Sequence, residues 1–173
     1  MKILIIEKLP RILKNREQLE KRLNIKITNR GKEVFIDGSP EDEFIAEKVI
    51  DALEFGFPFS TALLIKDEDC IFEIIPIKHY TKRKDRVRIR ARIIGTNGKT
   101  LKTLCELTKC HFELKDNEVG IIGEPEYIKS AQDGILSLIK GTKTANVYAY
   151  LEKHHPEPIL DLGLKKVKKK RQK

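Results

Sequence analysis

Residues 92–100, RIIGTNGKT, set two glycines, an amide and a lysine directly behind a run of basic and apolar side chains. Glycine and lysine together are suited to holding phosphate. No Cβ blocks the approach, backbone N–H groups are within reach, and the ammonium supplies counter-charge. The largest such device, Gly-x-x-x-x-Gly-Lys-[Ser/Thr], wraps two phosphates of a nucleotide. Gly98, Lys99 and Thr100 match its end, but the position its first glycine requires is Ile93. A β-branched residue there forbids the wide loop, and nucleotide hydrolysis is not expected. The shorter loop Gly95-Thr96-Asn97-Gly98 needs less. Between two helices it can seat one or two phosphates of a single strand, the following helix offering N–H groups and the positive end of its dipole.

A seat of this kind needs apolar surface for bases and cations for the backbone. Ile93 and Ile94 precede the loop, Lys99 and Lys102 follow it, and Arg88, Arg90 and Arg92 lie just upstream. Charge along the chain points to the same place. The 173 residues carry a formal net charge of +9, but residues 1–75 alone are net acidic. The stretch Lys78 to Lys102 holds ten basic residues against Asp85, and Lys165 to Lys173 adds seven more with no acid. Clustering of one sign is the footprint of a polyanion partner.

Other chemistry finds little support. Cys105, Cys110 and His111 form only a Cys-x4-Cys-His string, too few ligands for a metal site, and read as buried thiols. His154-His155 precedes Pro156 and reads as a solvated turn. No base is placed beside a Ser or Cys nucleophile. Glu41, Asp42 and Glu43 answer a helix dipole. No catalytic residue, metal or cofactor is expected. Three cysteines without a disulfide framework suit a reducing, cytoplasmic setting. The start, MKILII, reads as a first strand.

The elements that would position the loop come in two rounds. KILII reads as a strand, and Ile12, Leu19 and Leu23 share a helical face. IKIT and EVFID make a hairpin across Asn29-Arg30-Gly31, and Ser39-Pro40 opens a helix that ends near Gly56. The second round has a strand over CIFEIIPI, a helix over Lys99 to Lys109, a hairpin around Asp116-Asn117, and a helix from GEPE to Gly141. At an offset of 85 the two rounds align, placing Gly95 opposite Pro10 and Gly98 opposite Leu13. The first round therefore has no glycine loop. One stretch stays open: Arg86 to Arg92 alternates like a strand, while Val87, Ala91 and Ile94 stand at helical spacing.

RIIGTNGKTLKTLCELTKCHFEL followed by EVGIIGEPEYIKSAQDGILSLI resembles a type I KH domain. That resemblance implies that residues 86–94 are helical. It extends over the chain as a tandem, a degenerate first copy before an intact one, and with the basic C-terminus it is similar to archaeal members of the partner-of-Nob family. The fold implied is α+β, two tandem type I KH domains, each a three-stranded sheet packed against helices, the two packed together through residues 55–80. The expected division is 1–57 without GxxG, a linker over 58–70, an intact domain over 71–152 and a basic, disordered tail over 153–173.

The function implied is non-enzymatic: binding of single-stranded rRNA near the 3′ end of small-subunit RNA during subunit assembly. The resemblance implies as partners a Nob-type endonuclease and the alpha subunit of translation initiation factor two. Carried over by position, Gly95, Thr96, Asn97 and Gly98 would contact the RNA backbone and Ile94 would line the base groove. The alternative is a protein-interaction adaptor in which RNA contact is secondary.

Overall fold

The computed structural model describes residues 1–67, 70–82 and 84–154. Of the tail expected over 153–173, Lys153 ends the last helix and His154 follows it, while the rest, with His155 and Lys165 to Lys173, lies outside the described residues. The first half runs β1 (Lys2–Ile5), α1 (Leu9–Lys14), α2 (Arg16–Leu23), β2 (Lys26–Arg30), β3 (Glu33–Asp37) and α3 (Pro40–Phe55). Next comes α4 (Phe59–Asp67), a helix inside the segment expected as a linker. The second half runs β4 (Ile71–Pro76), a one-turn α5 (Ile77–Tyr80), α6 (Arg86–Ile94), α7 (Lys99–Thr108), β5 (His111–Lys115), β6 (Glu118–Gly123), α8 (Pro125–Lys140) and α9 (Thr144–Lys153). Each half builds one antiparallel three-stranded sheet, in the orders β1-β3-β2 and β4-β6-β5. The protein is α+β with a KH fold.

Local signals explain most boundaries. The Ser39 hydroxyl accepts the Asp42 N–H at 3.1 Å, capping α3, with Pro40 in the first turn. Asp116, at φ 51°, turns the β5–β6 hairpin. In the first hairpin the turn falls on Gly31-Lys32, with Gly31 at φ 63°, because β2 extends through Arg30. Helix α3 buries Val49, Ala52 and Leu53, with Ile45 on the same side only half-buried, and α8 buries Ile128, Ala131, Ile135, Leu138 and Ile139.

The fixed offset fails ahead of the hairpins, where the first half has no counterpart of α5 and has shorter helices. Between β1 and β2 the first half has helices of six and eight residues meeting at Asn15, where the second has nine and ten joined by the glycine loop. Pro10 lies in the first turn of α1 rather than at a helix junction. The counterpart of the glycine loop is therefore Asn15.

The halves meet through aromatic rings. Phe55, at the end of α3, Phe57 and Phe72 on β4 have centroids 5.8–6.0 Å apart. A Cβ on Gly120 of β6 would lie 2.7 Å from the Phe55 ring and 2.8 Å from that of Phe57. Ile122, also on β6, joins the hydrophobic cluster of the first half.

Candidate nucleic-acid interface

The segment left open by periodicity is a helix. Asp85 caps α6, its carboxylate accepting the Arg88 N–H at 3.1 Å, and Ile89 and Ile93 turn inward. The alternation of residues 86–92 arises because arginines occupy every other position while the core requires only two of the intervening sites. The tertiary packing of Ile89 and Ile93, four residues apart, selects the 3.6-residue period.

Gly95 ends α6 at φ 75°, donating its N–H to the Ala91 carbonyl at 2.8 Å. A single 3-10 turn over Thr96–Gly98 follows, closed by the Gly98 N–H on the Gly95 carbonyl at 3.3 Å. Asn97 (φ 53°, ψ 31°) and Gly98 (φ 74°, ψ 9°) are both left-handed. The two glycines do different work. A Cβ at Gly95 would lie 2.2 Å from Oγ1 of Thr100, so only glycine fits there in both φ and space. At Gly98 nothing stands within 4 Å, and the positive φ alone favours glycine. Thr96 and Asn97 are exposed at the tip, and α7 starts without a side-chain cap on Gly98. Its first-turn N–H groups and dipole thus face the loop mouth.

The remaining expected residues divide. Lys99 and Lys102 are exposed on α7. Ile94 is 36% exposed and continues a solvent-facing apolar strip with Ala91 and with Val87, which is 76% exposed. Ile93 is 0% exposed. It is a core residue that supports the loop from beneath, because it lies on the same inward face as Ile89. Arg88 and Arg92 border a recess of about 400 Å³ with Asp85, Ile89, Leu138 and Ile139. The Arg92 guanidinium also donates to the Thr142 carbonyl between α8 and α9. Arg90 leans elsewhere, its Nε enclosed without a hydrogen-bond acceptor. Val87 and Ala91 were not expected as contacts, although their spacing with Ile94 signalled a common face. Thr142 carried no such signal, being fifty residues from Arg92.

Cys110 is buried and Cys105 half-buried. Burial pushes both thiols up, Cys110 to about 12, so neither is a nucleophile at neutral pH.

Residues 71–156 match the family model described as a eukaryotic-type KH domain, KH type I. This half of the chain is a PNO1-like KH domain. The chain is 30% identical over 138 residues to the RNA-binding protein pno1 of Drosophila pseudoobscura pseudoobscura, covering 75% of this chain and 58% of that protein. It is 26% identical over 150 residues to a KH domain-containing protein of Methanocaldococcus jannaschii, covering 80% and 64%. The chain thus spans about three-fifths of the length of these curated relatives. Among solved structures, it is similar to a chain of the a/eIF2alpha–aDim2p–rRNA complex from Pyrococcus horikoshii OT3. The TM-score is 0.78 at 28% identity, over 88% of this chain and 92% of that one.

Proposed function

We propose that this chain binds single-stranded RNA in small-subunit ribosome assembly, gripping rRNA near its 3′ end by the backbone at Gly95-Thr96-Asn97-Gly98. The observation that carries the reading is the loop itself. Two left-handed residues stand at the head of an uncapped helix, with exposed cations after them and an exposed apolar strip before them. A loop of this form clamps about four nucleotides, and sequence preference then comes from bases laid on the strip. The similarity to a chain from a complex with rRNA supports the choice of polymer. No catalytic step belongs to this reading.

The first half suits a different part. Its helix junction at Asn15 faces Gly56, Phe57, Pro58 and Phe59, which leave only a recess of about 330 Å³ beside Arg11 and Lys14. It has no glycine pair, and its residues are net acidic. We assign it, as a degenerate KH copy, to protein contact and to support of the second half. A Nob-type endonuclease and the alpha subunit of initiation factor two are the proposed partners, and the latter accompanies aDim2p in the related complex.

The test is Thr96→Asp/Asn97→Asp in the full chain, titrated with a 3′-end rRNA oligonucleotide. Two carboxylates against phosphate oxygens are expected to abolish binding while the melting temperature stays within a few degrees. Unchanged affinity would remove the clamp from this loop and leave the adaptor reading in its place.

A further inference from the structure

We propose that α6 carries a second phosphate rail: Arg88 and Arg92, beside the α8–α9 loop, hold the backbone of RNA that runs beyond the nucleotides seated at Gly95–Gly98. The proposal rests on the RNA-binding reading above and extends its footprint.

At about 100° per residue, α6 sorts its arginines onto two flanks of the exposed strip Val87-Ala91-Ile94. Arg86 and Arg90 fall on one flank. Arg86 there borders a recess with Pro76, Lys78 and residues 115–118 at the β5–β6 turn. Arg88 and Arg92 fall on the other flank, over the recess against α8. Each flank is a like-charge pair at i, i+4, an arrangement that weakens a helix on its own. Among the described residues neither flank forms an ion pair, although Glu7, Asp116 and Glu118 share the recess of Arg86, and Asp85 shares that of Arg88 and Arg92. Among the described residues the ion pairs are Met1–Glu43, Lys2–Glu47, Arg16–Glu20 and Arg22–Asp67, all in the first 67 residues. Asp85, the acid nearest these arginines in sequence, is engaged with the Arg88 N–H.

The second flank is also prepared for a ligand. The Thr142 carbonyl takes one of the five N–H donors of Arg92. That fixes the guanidinium while leaving donors for an oxyanion, and a side chain already ordered loses less freedom on binding. Lys140 and Lys143 are exposed on either side of Thr142. Beneath the guanidiniums Ile89, Leu138 and Ile139 form an apolar floor, which offers a weak alternative to a phosphate and a favourable surface to a base. Arg92 is one helical turn from Gly95 and Arg88 two, so a strand leaving the loop meets them in succession.

The experiment measures binding of full-length protein to four- and ten-nucleotide oligonucleotides of the same 3′-end sequence, at several salt concentrations. The wild type is expected to bind the ten-mer about tenfold more tightly. Arg88→Gln, which keeps the backbone bond of Arg88 to Asp85, and Arg88→Gln/Arg92→Gln are expected to erase most of that gain. They should also lower the salt slope by about 0.7 per phosphate lost, and leave the four-mer within about twofold. Arg92→Lys, keeping the charge, should retain more of the gain than Arg92→Gln. Equal loss on both lengths would overturn the rail, and so would a gain untouched by either glutamine variant. Competition by an acidic peptide for the ten-mer alone would give the flank to a protein instead. Binding of both lengths with no gain overturns the rail and leaves the clamp standing; binding of neither defeats the RNA reading itself.

Discussion

Gly95 illustrates how a single position can be over-determined. Its φ of 75° disfavours any side chain, and Thr100 occupies the space a Cβ would need. Gly95→Ala is expected to open the turn, costing about 1–3 kcal/mol of stability and most RNA affinity. Gly98→Ala meets only the backbone term, so it should cost about 1 kcal/mol and spare part of the binding. Denaturant unfolding and oligonucleotide titration of both variants check the order. Cys110 makes a pH prediction. Folded, it keeps its proton to about 12, because burial disfavours the thiolate. Unfolded, it releases the proton near the ordinary value of about 8.5. The folded state therefore binds more protons between those values, and its contribution to stability is whole below pH 8.5 and declines as pH rises. The difference in stability between wild type and Cys110→Ala should accordingly narrow from pH 8 to pH 10. Native protein at pH 8 should react with a thiol reagent at Cys110 only after denaturation.

At the scale of elements, α6 combines a cap, a core face, an apolar strip and two cationic flanks within nine residues. Asp85 serves it twice, by capping and by lowering the local positive potential. Substitution separates the roles. Asp85→Asn retains a capping oxygen, so stability should hold within a few tenths of a kcal/mol while RNA affinity rises at low salt. Asp85→Ala should raise affinity similarly but cost about 1 kcal/mol. What could be read from sequence here follows the range of each signal. The loop, the Ser39-Pro40 cap and the Asp116-Asn117 turn declare themselves within four residues, and all are found in place. The state of α6 could not be decided from its own letters, since strand and helix periods coincide there. The split of its arginines depends on Thr142 and α8, which no local pattern announces. α4 and α9 were missed for a related reason. α9 buries only Val147 and Leu151, the latter against Gly134, too few for a periodic signal in ten residues.

At the scale of the molecule, the two halves are joined by packing as well as by chain. Gly120 lies under Phe55 and Phe57 so closely that Gly120→Val must displace the rings. We expect wild type to unfold in one cooperative transition by circular dichroism. The variant should lose at least about 2 kcal/mol and show two transitions, one for each half. Retention of a single transition would show that the halves are coupled elsewhere. The parallel order of elements in the two halves was legible in the sequence, and the break in its offset was not. The shortened helices around Asn15 displace every position ahead of them, so an offset measured on the hairpins cannot be carried to the loop.

The placement of Phe55 and Phe57 also has a consequence in time. A ribosome makes residues 55 and 57 before any strand of the second sheet, and N-terminal units generally fold first. When β6 emerges with its bare Gly120 and its outward-facing Ile122, the rings that cover them already exist. The second half is thus expected to bury that sheet face as soon as it is made, instead of exposing it to the crowded space around the exit tunnel. On that order of events the first half would shelter its neighbour during synthesis with the same rings that hold it in the finished fold.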